Sequence, residues 1–194
     1  MKKNKILELY KLKQTVFTLS EIAIIWQEKN SQNLKSKIKY YIDKQDLFRI
    51  RRGIYAKNNY NEFELAVKIY KPSYISFQTV LKQAGIIFQY YEKIFVASYL
   101  SREIKLINKA IDYHKIKNEV LLNSGGVMQE EGYAIASPER AFLDMIYLYE
   151  DYYFDNLRSI DWDKCFKLVE IYDHKNMEKR LKNYYQKYVE LEKA

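Results

Sequence analysis

With a single cysteine, Cys165, the chain can form no intramolecular disulfide, and a reducing compartment is its simplest setting. Its 2 prolines and 5 glycines in 194 residues leave no room for a flexible linker or a low-complexity tract, and no internal repeat is found. No apolar run approaches the length of a membrane span, ~20 residues. The start is basic like a secretory leader, but Glu8 and Lys11 interrupt the apolar stretch behind it and no small-residue cleavage site follows. A cytoplasmic, globular protein is therefore expected. Its 20 tyrosines read as rings packed at core edges in a Lys-, Ile-, Asn- and Tyr-rich composition, rather than as a base-stacking surface.

The charge is unevenly spread. Residues 1–60 hold 14 Lys and Arg against 5 Asp and Glu, whereas the other 134 residues hold 19 against 20. A cationic module on a neutral body is the distribution that nucleic-acid binding requires, because phosphates are the counterpart of clustered cations.

Within that module, Ile6, Leu9 and Tyr10 predict a short helix over about 4–13. Thr18-Leu19-Ser20-Glu21 reads as a capping box opening a second helix, with Leu19, Ile22, Ala23 and Trp26 on its apolar side. Ser31 is expected to cap a third helix with a buried stripe of Leu34, Ile38, Tyr41 and Ile42. The opposite side presents Gln32, Ser36, Lys39 and Tyr40, flanked by Asn33, Lys35 and Lys37, with no glutamate among them. Gln and Asn can pair bidentately with adenine, Ser with either partner, and lysines can neutralise phosphates. Leu47 to Arg51 then alternates apolar and basic, Arg51-Arg52-Gly53 supplies a turn, and Ile54-Tyr55-Ala56 returns as a strand. Phe48 and Ile50 would face the helices, and Arg49, Arg51 and Arg52 would face outward. The order predicts a winged helix-turn-helix over residues 1–58, with Gln32, Asn33, Lys35, Ser36, Lys37, Lys39, Tyr40, Arg49, Arg51 and Arg52 as its DNA contacts.

Residues 59–194 read as a mixed α+β domain with a small antiparallel sheet and C-terminal helices, so the chain as a whole is expected to be α+β. Helices are predicted over 62–70, from a Ser76 cap to Gly85, from Ser137-Pro138-Glu139 through Tyr149, and over 163–172 and 176–191. Strands are predicted at 94–99, 103–107, 110–116, 127–129 and 133–136.

Chemistry is harder to find in this region. His114 and His174 have no metal-ligand spacing, Asp161 and Asp163 read as helix-opening acids, Ser124-Gly125-Gly126 lacks the lysine of a phosphate loop, and Cys165 has no base beside it. The sequence offers no active site, and no enzyme activity, cofactor or metal is expected.

Four stretches, in order, resemble the AbiEi antitoxin family of type IV abortive-infection toxin–antitoxin pairs. They are Arg51-Arg52-Gly53-Ile54-Tyr55; Tyr74-Ile75-Ser76-Phe77-Gln78-Thr79-Val80-Leu81 with Gly85 following; Phe95-Val96-Ala97-Ser98; and Ala136-Ser137-Pro138-Glu139-Arg140-Ala141-Phe142-Leu143-Asp144. The resemblance spans residues 15–150 and does not extend past about Tyr152. It implies a winged helix-turn-helix that binds inverted repeats in its own promoter and represses the operon, and a C-terminal domain that counteracts a nucleotidyltransferase toxin. Pro138, Glu139, Leu143 and Asp144 match the family's signature helix, in a role that looks structural. The expected function is a DNA-binding autorepressor and antitoxin. The competing readings are a protein-interaction module that holds a partner such as a toxin, a transcription factor outside any such pair, and, third, an enzyme, for which the body lacks clustered acids.

Overall fold

A computed structural model describes residues 4–106 and 109–193. The chain is α+β and divides into two compact units, one ending at Ile69 and taking in Glu131–Tyr133, the other formed by Tyr70–Glu130 and Ala134–Ala194.

In the first unit, α1 (Lys5–Tyr10) leads to β1 (Val16–Thr18), α2 (Leu19–Ile25), α3 (Ser31–Asp43), the strands β2 (Phe48–Arg51) and β3 (Ile54–Ala56), and α4 (Glu62–Ile69). The capping box at α2 is complete: Thr18 Oγ1 accepts from the Glu21 amide, and Glu21 returns a carboxylate to the Thr18 amide at 2.7 Å. The cap of α3 is Asn30 rather than Ser31. The Asn30 side-chain oxygen, Oδ1, accepts both the Gln32 and Asn33 amides, at 2.9 and 3.0 Å, which a shorter hydroxyl one residue later does not do. Leu9, Phe17, Ile22, Trp26, Leu34, Ile38 and Leu47 close into one core. Tyr41 and Ile42, expected in the buried stripe of α3, are only half-buried at its edge.

A third strand was not legible in the sequence. Val16–Thr18 is too short to show a period, yet it pairs antiparallel with β3 and gives the order β1-β3-β2. That places β3 in the middle, with Ile54, Tyr55 and Ala56 all buried.

The expected boundary at residue 58 falls short of Ile69, and the reason lies in α4. Glu64 accepts the Thr15 amide and hydroxyl at 2.8 and 2.6 Å. The buried Lys68 ammonium donates to the Val16 carbonyl at 2.6 Å and to Glu21 at 2.9 Å. Lys68 also lies 3.6 Å from Glu64, one helical turn back.

The second unit consists of β4 (Ser73–Ile75), α5 (Phe77–Gln83), β5 (Lys93–Ser98), β6 (Arg102–Lys105), β7 (Ala110–Lys115), α6 (Asn118–Leu122), β8 (Val127–Gln129), β9 (Ala134–Ala136), α7 (Pro138–Leu148), α8 (Trp162–Leu168), a 3-10 turn (Val169–Tyr172) and α9 (Lys175–Lys193). The small antiparallel sheet expected here is instead a six-stranded mixed one, in the order β6-β7-β5-β4-β9-β8. β4 and β9 run parallel, and so do β5 and β7, the latter because β6 returns as a hairpin on the outer side of β7 instead of lying between β5 and β7. The Glu103–Ile107 strand is Arg102–Lys105, and Ile107 lies outside the described residues.

Ser137 caps α7 as expected, with Pro138 at its first position. The helix ends at Leu148, and Tyr149, expected on its buried side, is 39% exposed. Inside, α7 carries a buried ion pair. Asp144 accepts from Arg140 Nε at 3.2 Å, from the Tyr172 hydroxyl at 2.6 Å, from Ser76 Oγ at 2.6 Å and from the Tyr74 hydroxyl at 3.0 Å. Arg140 spends its remaining donors on the Tyr74 hydroxyl and on the carbonyls of Val120, Asn123 and Gly125. Ser76, expected to cap α5, turns its hydroxyl to this carboxylate, and its side chain caps nothing. Burial works against the Arg140 charge, but the Asp144 charge, with the Tyr172 and Tyr74 oxygens, overrides it and holds the guanidinium above its ordinary pKa.

The remaining polar residues singled out in the sequence have local roles. Asp161 caps α8 through the Lys164 amide, and burial pushes the Cys165 thiol pKa up. His114 lies among the rings of Phe77, Phe95 and Tyr149. Burial lowers its pKa against the pull of Asp112, so at neutral pH it is uncharged and its 3.8 Å approach to that carboxylate is not an ion pair. Gly125-Gly126 packs against Arg140 and Leu168: a Cβ on Gly126 would lie 2.9 Å from Arg140 Cβ, at φ +70°. A Cβ on Gly53, at φ +79°, would meet nothing. Gly53→Ala is therefore expected to cost only the left-handed strain of about 1–2 kcal/mol. Gly126→Ala adds overpacking of about 1–3 kcal/mol to that strain, and urea unfolding of the two variants checks the order.

Candidate nucleic-acid interface

The candidate site is built on α3 and the β2–β3 hairpin. Helical geometry divides the exposed residues of α3 into two stripes. Gln32, Ser36 and Lys39, with Ser31 and Lys35, line one depression of about 530 Å³. Asn33, Lys37 and Tyr40 fall at i, i+4 and i+7 on the neighbouring stripe. Tyr40 is thus not central to the polar face. Its ring meets Tyr41 edge-on at 5.2 Å and carries the Lys44 ammonium at 4.6 Å. Lys37 is committed to Glu28, whose carboxylate is held below its ordinary pKa first by that bond and then by the Asn30 amide.

The hairpin stands beside α3. Its strands are joined by Arg52-Gly53, the register slips between Arg49 and Arg51, and strand alternation leaves both arginines exposed while Phe48 and Ile50 stay half-buried. The Leu19 amide donates to the Gly53 carbonyl at 3.0 Å, tying the hairpin turn to the first residue of α2. Between α3 and the hairpin runs a groove of about 570 Å³, with Ile38, Ile42 and Tyr55 in its lining and Lys35, Lys39, Arg49 and Arg52 around it. Arg51 is exposed but does not line the groove. Among the described residues, none of Lys35, Lys39, Arg49, Arg51 and Arg52 has an ion-pair partner, and no carboxylate lines either depression.

All ten candidate residues are solvent-exposed. The structure brings Gln32, Lys35, Ser36, Lys39, Arg49 and Arg52 around two depressions that share Lys35 and Lys39, and sets Asn33, Lys37, Tyr40 and Arg51 to the side. Sequence reasoning missed Lys44, which follows Lys37 and Tyr40 on the second stripe at helical spacing. Charge counting also overstated the face. Lys57 donates to the Leu12 carbonyl and is partly buried, which lowers its pKa, and Lys5 donates to the Trp26 carbonyl.

Among the described residues, no three His, Cys, Asp or Glu side chains are placed to hold a metal ion, and no helix is long and apolar enough to cross a membrane. A scan against protein-family models finds no match for the chain, and a search of curated proteins finds none either.

Proposed function

We propose that the N-terminal unit is a winged helix-turn-helix that binds double-stranded DNA, and that the chain is a transcriptional autorepressor acting by occupancy. The observation that carries this reading is the groove between α3 and the hairpin, where cations from two elements meet with no carboxylate to neutralise them. Lys35, Lys39, Arg49 and Arg52 neutralise phosphates there, and Arg51 adds a further contact from the hairpin. Gln32 and Ser36 face the bases from the adjoining depression, and Asn33 and Lys37 lie on the neighbouring stripe of α3. The antitoxin role, opposing a nucleotidyltransferase toxin, rests on the AbiEi resemblance alone.

The test is fluorescence anisotropy with a duplex from the region upstream of the gene and a random duplex of equal length. Gln32→Ala and Ser36→Ala are expected to weaken the upstream duplex by about 1–3 kcal/mol per lost base contact while leaving the random one nearly unchanged. Asn33→Ala is expected to lose less. Equal loss on both duplexes removes the base-reading role, and equal wild-type affinity for both removes the repressor. Co-expression with an adjacent nucleotidyltransferase gene tests the antitoxin part, since growth must then depend on this chain.

A further inference from the structure

A second cationic surface lies in the other unit, where the balanced charge of the sequence predicts none. The end of β7, the C-terminus of α7 and the start of α9 converge on a cleft of about 410 Å³ lined by Lys115, Lys117, His174 and Arg180, with Tyr147 and Leu148 as its apolar wall. The volume is in the range of small-ligand sites, and no carboxylate is in the lining.

The fold itself needs only one of these four side chains. The C-terminus of α7 carries the negative end of a helix dipole and unpaired carbonyls. Arg180 meets that need, donating from Nη1 to the Ile146 and Tyr147 carbonyls at 2.8 and 3.2 Å, with Glu150 3.6 Å from Nη2. Its Nε is buried without a hydrogen-bond partner. Lys115, Lys117 and His174 are surplus: all three are exposed, and among the described residues none has an ion-pair partner. Three unneutralised nitrogen-bearing side chains grouped around one cleft match a phosphate group, which offers several acceptor oxygens and a negative charge. The Tyr147 ring is half-exposed, fixed edge-on against His174 at 6.2 Å and packed on Tyr172 at 5.3 Å. A rigid ring beside a phosphate site suits a planar heterocycle.

We propose that this cleft binds a small nucleotide, its phosphate held by Lys115, Lys117 and His174 and its base laid against Tyr147 and Leu148. The proposal is independent of DNA binding by the other unit.

Isothermal titration calorimetry of the full chain with AMP, adenosine and inorganic phosphate tests it. AMP is expected to bind at one saturable site, adenosine and inorganic phosphate each more weakly. Lys115→Ala combined with Lys117→Ala is expected to weaken AMP at least about tenfold, with an unchanged thermal melt because both side chains are exposed. Arg180 is left in place because it holds α7. Arg51→Ala with Arg52→Ala serves as the control and is expected to leave AMP binding unchanged. No saturable AMP binding, binding that survives the lysine double variant, or binding that disappears with Arg51 and Arg52 each overturns the site. Adenosine or inorganic phosphate binding as tightly as AMP overturns the ligand class, as does binding of a duplex at this cleft without AMP.

Discussion

Replacing Arg49, Arg51 and Arg52 together by alanine is expected to reduce duplex affinity on every sequence and to flatten its dependence on salt. Each neutralised phosphate contributes about −0.9 to the slope of log K against log salt, so removing three makes the slope shallower by about 2.7. Between about 50 and about 200 mM salt, wild type should then lose roughly 40-fold more affinity than the triple variant. The ratio of upstream to random affinity should change little, because contacts to the backbone position the protein without reading bases. The fold should tolerate the change: all three side chains are exposed, and among the described residues none is ion-paired. Binding isotherms at four salt concentrations measure the slope, and a triple variant with the wild-type slope would remove the hairpin from the interface.

Asp144→Ala should cost about 3–5 kcal/mol of stability, because it leaves the Arg140 guanidinium buried without its counter-charge. Neither side chain reaches solvent: both are 0% exposed. Arg140→Met should cost a similar amount, since it strands the Asp144 carboxylate and the carbonyls of Val120 and Gly125. The double variant Arg140→Met with Asp144→Leu should be more stable than either single one, as a volume-conserving apolar pair dispenses with two desolvation penalties at once. Urea unfolding followed by circular dichroism measures this cycle, and single-variant losses below about 1 kcal/mol would show the pair to be unimportant. The network also sets an alkaline limit. Burial first, and the Asp144 charge second, raise Tyr74 and Tyr172 well above the ordinary tyrosine value of 10.0. Their contribution is present below that value and is lost as pH rises past it, because the unfolded tyrosines ionise while the native ones stay protonated.

Local signals carried much of the fold. The Thr18–Glu21 capping box, the Ser137-Pro138 helix start and the Arg52-Gly53 turn each involve neighbours within a few residues, and each is seen in the structure. What sequence did not show was long-range. β1 and β4 are three residues each and acquire strand character only from their partners, Ile54–Ala56 and Lys93–Ser98. Ser76 has the sequence context of a helix cap, yet Asp144, 68 residues away, takes its hydroxyl. The Arg140–Asp144 spacing of four residues was visible, but such a pair is ordinarily solvated; only the burial of the whole helix gives it weight. At the candidate site, helical periodicity identified the exposed residues of α3, while which of them join the arginines around one groove depended on where the hairpin stands.

Glu21 has two employments, one as the acid of the α2 capping box and one as an anchor for Lys68 from α4. A fragment cut at residue 58 would keep all ten proposed contact residues and still lose that ammonium, together with the carboxylate that grips Thr15. The helix that begins at Leu19 would then start from a weakened footing. Anyone isolating the amino-terminal unit should extend it at least through Ile69, and affinities from a shorter piece would report on a destabilised species.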